Sequence, residues 1–275
     1  AKFIVEQNLQ LILHGVKMLQ NSHKVALSLL LAMNTMPAFA EEQSTLSAAG
    51  ALTGSFAVVN KYIFRGGVEN DDVALQAGVE YAHQSGVSVG YWGSTLGYDP
   101  SDNSKDKDHG FEHDFYVAYA QDINPDRRYK VQGTAYYYQD GGTVYAEDGD
   151  ERKTTAFDIL GELAYKNLTL STSLMLTDAS FANAGDVYLS AAYSYALPQN
   201  FMLNTSIGAS VYNSSRDDSM IETKNEVAFN EARIGMSKEI ANTGATASFD
   251  YVVGGKDRFD TDFDDQVVFG LNFNF

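Results

Sequence analysis

The stretch that decides the fold is Val267-Val268-Phe269-Gly270-Leu271-Asn272-Phe273-Asn274-Phe275. Its apolar residues alternate with small or polar ones, so one face of the strand is apolar and the other is not. In a soluble sheet such a strand would leave an apolar edge that invites aggregation. A closed barrel in lipid has no such edge, because its last strand pairs with its first and the apolar face meets lipid. The stretch therefore predicts an antiparallel transmembrane β-barrel, and its apolar set would act as the signal for the barrel-assembly machinery: Phe269, Leu271, Phe273 and Phe275.

The same alternation recurs along the chain, for example over 73–81, 87–92 and 155–165. The first strand is predicted over 54–64, with Phe56, Val58, Tyr62 and Phe64 on one face. We count about twelve strands, and the predicted connections alternate between short turns and long, mostly acidic loops. This alternation is typical of an outer-membrane barrel with short periplasmic turns and long extracellular loops. A soluble β-sandwich, the weaker alternative, has no reason to show it.

Composition narrows the class further. The chain has 275 residues, 17 Tyr, 16 Phe and no Cys, and its mean hydropathy is -0.24. No apolar run reaches the roughly 18 residues that a membrane-spanning helix needs, which excludes a helical membrane protein. The formal net charge of -17 argues against a nucleic-acid partner, since phosphate binding needs a basic face. The abundant aromatics fit strands with aromatic girdles at the membrane interfaces.

The first residues carry the pattern of a secretory signal. An apolar run over 25–33 follows Lys24 and precedes Ala38-Phe39-Ala40, whose small residues fit a cleavage site after Ala40. We predict that 1–17 is an upstream over-read or non-native extension before a start at Met18, and that 18–40 is a signal peptide. Residues 41–50 would be a periplasmic leader and 51–275 the barrel. The predicted location is the outer membrane of a Gram-negative bacterium.

Three motifs near the start of the barrel occur in order. They are Tyr62-Ile63-Phe64-Arg65-Gly66, then Gln76 to Tyr81, then Gly90-Tyr91-Trp92-Gly93-Ser94. Together they resemble the TorF-family putative porins of proteobacteria, although Asn60-Lys61 stands where that family often has Ser-Asp. The motifs cover about the first quarter of the predicted mature chain. The resemblance implies an outer-membrane porin and no particular substrate.

Strand parity predicts which side chains face the lumen. Adjacent residues point to opposite faces, so assigning the apolar set to lipid leaves a charged set inside. These charges either pair across a closed interior or line a water-filled path that favours cations. Arg65-Gly66-Gly67 is either a constriction contact or a tight loop, and Trp92 has lumen parity unless a bulge turns it outward. The predicted pore-lining residues are Lys61, Arg65, Glu80, Asp114, Asp158, Glu162, Glu231, Arg233 and Asp250.

Enzymatic and metal sites find little support in the sequence. His109 and His113 could meet Asp108 or Glu112, but no distinctive Ser motif accompanies them, so we predict no enzyme and no cofactor. The acidic loops are 99–108, 147–151 and 257–265. Asp260-Thr261-Asp262-Phe263-Asp264 lacks the Gly and final Glu of a calcium loop. We therefore predict no metal site, with weak divalent bridging to lipopolysaccharide as a minority hypothesis.

The leading hypothesis from the sequence is a porin for passive diffusion of small polar solutes, with a preference for cations. The alternative is a closed structural or adhesive barrel that acts through its extracellular loops. The expected partners are outer-membrane lipid, lipopolysaccharide, the barrel-assembly machinery and small polar solutes. The sequence leaves the oligomeric state open.

Overall fold

The computed structural model describes residues 50–100 and 109–275. Twelve of its strands pair antiparallel with their neighbours and close into one barrel, which confirms the predicted fold and strand number. Strand β1 closes the ring by pairing with both β16 and β4. The barrel strands are β1 (Gly50–Val59), β4 (Ala74–His83), β5 (Val87–Leu96), β6 (Gly110–Asn124), β7 (Arg127–Tyr138), β10 (Ala156–Tyr165), β11 (Leu168–Met175), β12 (Val187–Leu197), β13 (Phe201–Val211), β14 (Val227–Ile240), β15 (Ala245–Gly254) and β16 (Gln266–Asn274).

Four shorter strands form two hairpins that are not part of the barrel wall. They are β2 (Tyr62–Phe64) with β3 (Gly67–Asn70), and β8 (Thr143–Tyr145) with β9 (Glu151–Lys153). Two three-residue 3-10 turns, Pro198–Asn200 and Ser214–Arg216, are the helical elements of the described residues. Within these ranges no helix has the length and apolar character needed to cross a membrane.

The two ends of the barrel differ as the loop pattern predicts. At one end, here called the turn end, successive strands are joined by short turns such as Lys166-Asn167 between β10 and β11. At the other, the loop end, the connections are long and carry both small hairpins. The predicted extension, signal peptide and leader, and most of the loop over 99–108, lie outside the described residues, except that β1 already begins at Gly50.

The wall separates an apolar outside from a polar inside. On β6, for example, Phe115 and Val117 face outward and are 52% and 57% exposed, whereas Glu112 and Asp114 face inward and are buried. A belt of exposed large apolar side chains on strand after strand is far larger than the patches that soluble monomers tolerate. Its counterpart is a lumen face rich in Ser, Thr, Gly, Asn and charged residues.

One prediction about the first strand is wrong. β1 ends at Val59, and Tyr62 and Phe64 belong to the β2–β3 hairpin instead of the outward face of the wall. The alternation of apolar residues continues from β1 into β2, so the sequence pattern does not show that the chain leaves the wall after Val59. Trp92 keeps its lumen parity without a bulge and is 5% exposed inside the barrel.

Candidate functional site

The β2–β3 hairpin folds into the lumen near the loop end. Val59 and Ala74 are register partners on β1 and β4, so residues 60–73 leave and rejoin the wall at neighbouring points. Its turn is Arg65-Gly66, where both residues have positive φ, 50° and 88°, as in the tightest hairpin turns. A Cβ on Gly66 would lie 2.6 Å from the Asn230 carbonyl oxygen. The hairpin tip therefore lies directly against β14.

Apolar contacts fix the hairpin in place. The Tyr62 ring packs edge-on against Trp92 of β5, with ring centroids 5.7 Å apart. Ile63 forms a buried cluster with Val252 and Val268 on β15 and β16. Burial of each large apolar side chain contributes about 1.5–3 kcal/mol. These contacts therefore stabilise the hairpin in a position that crosses the lumen.

Three buried carboxylates stand on one side of the hairpin; we call Glu112, Asp114 and Asp158 the acidic wall. They are 4%, 9% and 2% exposed. Glu112 accepts hydrogen bonds from the hydroxyls of Tyr62 (2.9 Å) and Tyr138 (3.2 Å). The Asp158 carboxylate accepts from the Tyr136 hydroxyl at 3.0 Å and the Ser173 hydroxyl at 2.6 Å. The acidic wall is thus held in position mainly by aromatic hydroxyls of β2 and β7.

Arg65 is the cation that faces the acidic wall. From the tip of the hairpin its Nη2 donates to Ser173 Oγ at 3.0 Å and lies 3.7 Å from Asp158 Oδ2. Its guanidinium also stacks over the rings of Phe64 and Tyr188, at 4.9 and 4.8 Å. Arg65 therefore reaches β10, β11 and β12, on the side of the barrel opposite β1.

The other charged groups of the lumen are better balanced. Glu231 on β14 accepts from Arg233 Nε at 2.8 Å and from the Tyr188 hydroxyl at 3.2 Å, and Arg233 Nη2 also donates to the Ile63 carbonyl. Asp250 faces the lumen on β15, opposite Gly235. This side of the lumen pairs one buried carboxylate with one guanidinium, in contrast to the acidic wall.

Away from the hairpin, toward the turn end, several inward polar side chains are less buried than the acidic wall. Glu80 is half-buried and accepts from the Tyr116 hydroxyl at 3.2 Å, and Glu162 stands opposite Lys130 in the register of β10 and β7. Small inward residues of the same half, such as Ser190 and Asn204, are also half-buried. The lumen therefore forms a polar vestibule at the turn end and a narrow section at the hairpin.

Most predicted pore-lining residues lie in the lumen. Glu80, Asp114, Asp158, Glu162, Glu231, Arg233 and Asp250 do so on wall strands, whereas Arg65 gets there through the hairpin. Lys61 lies between β1 and β2, where the parity of the wall does not apply. The prediction omitted several lumen groups. Glu112 has the same parity on β6 as the predicted Asp114, and Lys130 is the register partner of the predicted Glu162. Tyr62 and Tyr188 are uncharged, so a search for charged residues does not find them.

Neither the histidines nor the acidic loop forms a reactive centre in the described ranges. His113 faces outward and bonds with the Tyr91 hydroxyl, so it and Glu112 lie on opposite faces of β6. In the loop after β15, Lys256 Nζ bonds Asp260 at 2.8 Å, and that bond raises the pKa of Lys256. Within 50–100 and 109–275 no three His, Cys, Asp or Glu side chains converge as metal ligands would.

Two buried arginines connect the loops at the loop end. Arg152 of β9 donates to Asp218 at 2.6 Å and to Asn183 at 2.7 Å. Arg258 donates two bonds to Asp186, at 2.8 and 3.2 Å. Bidentate guanidinium–carboxylate pairs are strong and geometrically specific. The connections after β7, β11, β13 and β15 are therefore joined into one structured surface.

Structural comparison finds proteins with a similar fold. The KdgM porin aligns with a TM-score of 0.46 over 81% of this chain and 98% of its own, at 5% identity. OccAB3 of Acinetobacter baumannii gives 0.40 over 84% and 66%, at 9% identity. The outer membrane phospholipase A from Escherichia coli gives 0.41 over 84% and 93%, at 11% identity. At such scores and identities, none of these resemblances carries a substrate or an activity to this chain.

Sequence comparison gives the family. A search of curated proteins found no match. The resemblance to TorF-family porins stays a prediction, because no comparison names that family. The sequence model of Gcw_chp, described as a bacterial protein of unknown function, matches residues 43–272, which include every barrel strand except the last two residues of β16. The chain therefore belongs to the Gcw_chp family.

Proposed function

We propose that this chain is an outer-membrane porin through which small polar solutes diffuse passively, with a preference for cations. The observation that carries the proposal is the acidic wall: three inward carboxylates stand at the narrow section, with one guanidinium near them. Charged groups at a constriction select ions by the sign of their charge. The polar vestibule connects this point with the turn end of the barrel, and the apolar outer belt supports a position in lipid.

The same proposal includes the location and partners predicted from the sequence. The outer membrane would be that of a Gram-negative bacterium, with the turn end in the periplasm and the loop end outside. Lipid and lipopolysaccharide would surround the apolar belt, and the barrel-assembly machinery would insert the chain. We propose no enzymatic activity and no cofactor, as the sequence predicts.

Planar-bilayer recording tests the proposal. The chain, expressed in full and purified from membranes, is inserted into a bilayer under a KCl gradient, and conductance and reversal potential are recorded. We expect stable conductance steps and a reversal potential whose sign shows that potassium permeates more readily than chloride. A folded barrel that shifts mobility on heating but carries no current would refute the porin.

A second candidate function rests on the joined loops. The network around Arg152 and Arg258 makes the loop end a structured surface, which suits a closed barrel that acts as an adhesin or structural protein. The same recording separates the two candidates, because a closed barrel passes no current. Binding of purified barrel to cells or surfaces would then become the relevant assay.

A further inference from the structure

We propose that the acidic wall, with the aromatic side chains beside it, is a binding site for the guanidinium or alkylammonium group of a permeating solute, and that Arg65 occupies this site when no solute is bound. The inference deepens the proposed function, since the solute would reach the site through the lumen. It names the chemical class of the solute and the group of the protein that the solute displaces.

The first argument is the balance of charge. Glu112, Asp114 and Asp158 are each at least nine-tenths buried, and Arg65 approaches one of them, Asp158, at 3.7 Å. Buried carboxylates are costly unless a cation or hydrogen bonds compensate them. Tyr and Ser hydroxyls donate hydrogen bonds to Glu112 and Asp158, but a hydroxyl does not carry a full positive charge. The narrow section therefore favours additional positive charge.

The second argument concerns buried polar atoms at the site whose hydrogen-bonding capacity is not satisfied. Asp114 Oδ1, Asp158 Oδ1 and Arg65 Nε are buried and have no hydrogen-bond partner within residues 50–100 and 109–275. Buried polar atoms without partners are rare, and each calls for an explanation. Asp114 faces inward between Trp92 and Tyr136 in the strand register, so its free oxygen lies inside the site. Two carboxylate oxygens are thus available to a donor that the described part of the chain does not supply.

The third argument is the loose fit of Arg65, which a comparison within the same chain makes clear. Arg258 meets Asp186 with two hydrogen bonds, at 2.8 and 3.2 Å. Arg65 approaches Asp158 only to 3.7 Å and donates its one bond to Ser173. A guanidinium that meets its carboxylate only at this distance is displaceable from it, and the contacts that Arg65 already makes with the rings of Phe64 and Tyr188 would hold it when a solute takes its place at Asp158.

The surroundings define the ligand. Tyr62, Trp92, Tyr136 and Tyr138 form part of one buried cluster beside the carboxylates. Aromatic faces attract cations and also accept apolar stems. The site therefore fits a cationic head on a short apolar stem, as in an alkylguanidinium or alkylamine. A small hydrated inorganic cation would gain less from these rings.

Trp92 provides a direct reporter, because it is the single tryptophan of the chain and packs against Tyr62 in this cluster. We would titrate the full chain in detergent with propylguanidinium chloride at constant ionic strength, and with propylurea as the neutral isostere. A saturable change in Trp92 fluorescence is expected with propylguanidinium alone. The absence of a saturable change, or an equal change with propylurea, would overturn the proposal.

Variants then test the role of each group. Arg65→Gln should bind propylguanidinium about tenfold more tightly, because the competing occupant is gone, and Asp114→Asn should bind it about tenfold more weakly. Asp126→Asn, in the exposed turn between β6 and β7, is the matched control and should bind like the unchanged chain. Heat-dependent gel mobility verifies folding of each variant. Unchanged or weaker binding by folded Arg65→Gln would refute the role of Arg65 as occupant.

Conductance of the same preparation separates this inference from the porin proposal. A barrel that conducts but gives no propylguanidinium response would refute the site and leave the porin standing. A barrel that responds but carries no current would refute the porin and leave the binding site.

Discussion

At the scale of single residues, the turn of the inner hairpin shows how a local conformation positions a functional group. Arg65 has a φ of 50°, which is uncommon for a residue with a side chain. Gly66 follows with a φ of 88°, and the two together reverse the chain within the lumen. The conformation costs free energy locally, and the contacts of Arg65 with Ser173 and Tyr188 help to offset that cost.

Gly66 and Gly67 give a matched pair of variants. Gly66→Ala would place a Cβ 2.6 Å from the Asn230 carbonyl in a left-handed conformation, whereas Gly67→Ala meets no atom closer than 3.4 Å. We expect Gly66→Ala to lower the free energy of unfolding by about 1–3 kcal/mol. Gly67→Ala should change it by less than about 0.5 kcal/mol. Urea unfolding followed by Trp92 fluorescence measures both, and equal losses would contradict the packing of the tip against β14.

Strand parity predicted most of the lumen residue by residue. The inward positions of Asp114 and Asp158 follow from their neighbours, because side chains alternate along a paired strand. Glu231 lies at a register shift between β13 and β14, where Asn230 and Glu231 are both buried. The same rule failed at Tyr62. Alternation identifies a strand but does not tell whether that strand lies in the wall or folds inside it. The turn at Arg65-Gly66 was visible in the sequence, whereas its direction depends on contacts with distant strands.

At the scale of elements, the β2–β3 hairpin acts as the part that narrows the barrel. It joins two strands that are already neighbours, since Val59 pairs with Ala74. The wall therefore closes without the hairpin, and the hairpin contributes contacts inside the lumen instead of strand pairing.

Replacing residues 60–73 by a short Gly-rich turn should widen the narrow section. We expect single-channel conductance to rise severalfold, because the side chains of Tyr62, Ile63 and Arg65 leave the lumen. Shortening the tip of the β8–β9 hairpin, which lies at the loop end, is the control and should leave conductance close to its original value. If excision of the inner hairpin leaves conductance unchanged, the hairpin does not set the narrow section.

The joined loops form a second functional unit with its own response to pH. Burial by itself raises the pKa of Asp218, but bonds from Arg152 and from the backbone N–H groups of Ile221 and Met220 outweigh it, and the pKa lies below 3.8. The pKa of Asp217 is also lowered: burial raises it, but bonds from Thr223 and Asn183 outweigh that effect. A carboxylate with a lowered pKa stabilises the folded loop at higher pH and loses that effect as the pH falls through the lowered value.

We therefore expect the loops to loosen in acid. Hydrogen exchange at the amides of Met220, Ile221 and Thr223, which donate to these carboxylates, should lose protection severalfold between about pH 5 and about pH 3. Rates are normalised to the intrinsic exchange rate at each pH. Asp218→Asn should show weakened protection at Met220 and Ile221 already at about pH 5. Amides of β14 serve as the control, and a parallel loss there would mean that the barrel itself is opening.

At the scale of the whole molecule, acidic groups occur in two settings. The chain has a formal net charge of -17, and many of its carboxylates lie in exposed loops, whereas those of the acidic wall are buried. Charges in exposed loops act through solvent and are screened by salt. Buried charges are screened much less. The two settings therefore predict different salt dependences for cation selectivity.

The salt dependence of selectivity tests which setting controls permeation. The Debye length falls from about 10 Å at 0.1 M salt to about 3 Å at 1 M, so the contribution of exposed loops should fade over that range. We expect the potassium-to-chloride permeability ratio to decrease with salt yet to stay above one, because the acidic wall still acts. Neutralising exposed Glu147 and Glu151 should lower the ratio only at low salt, whereas Asp114→Asn with Asp158→Asn should lower it at both. A ratio that falls to one at high salt in the unchanged chain would place selectivity in the loops, and the acidic wall would then have no part in choosing the ions that pass.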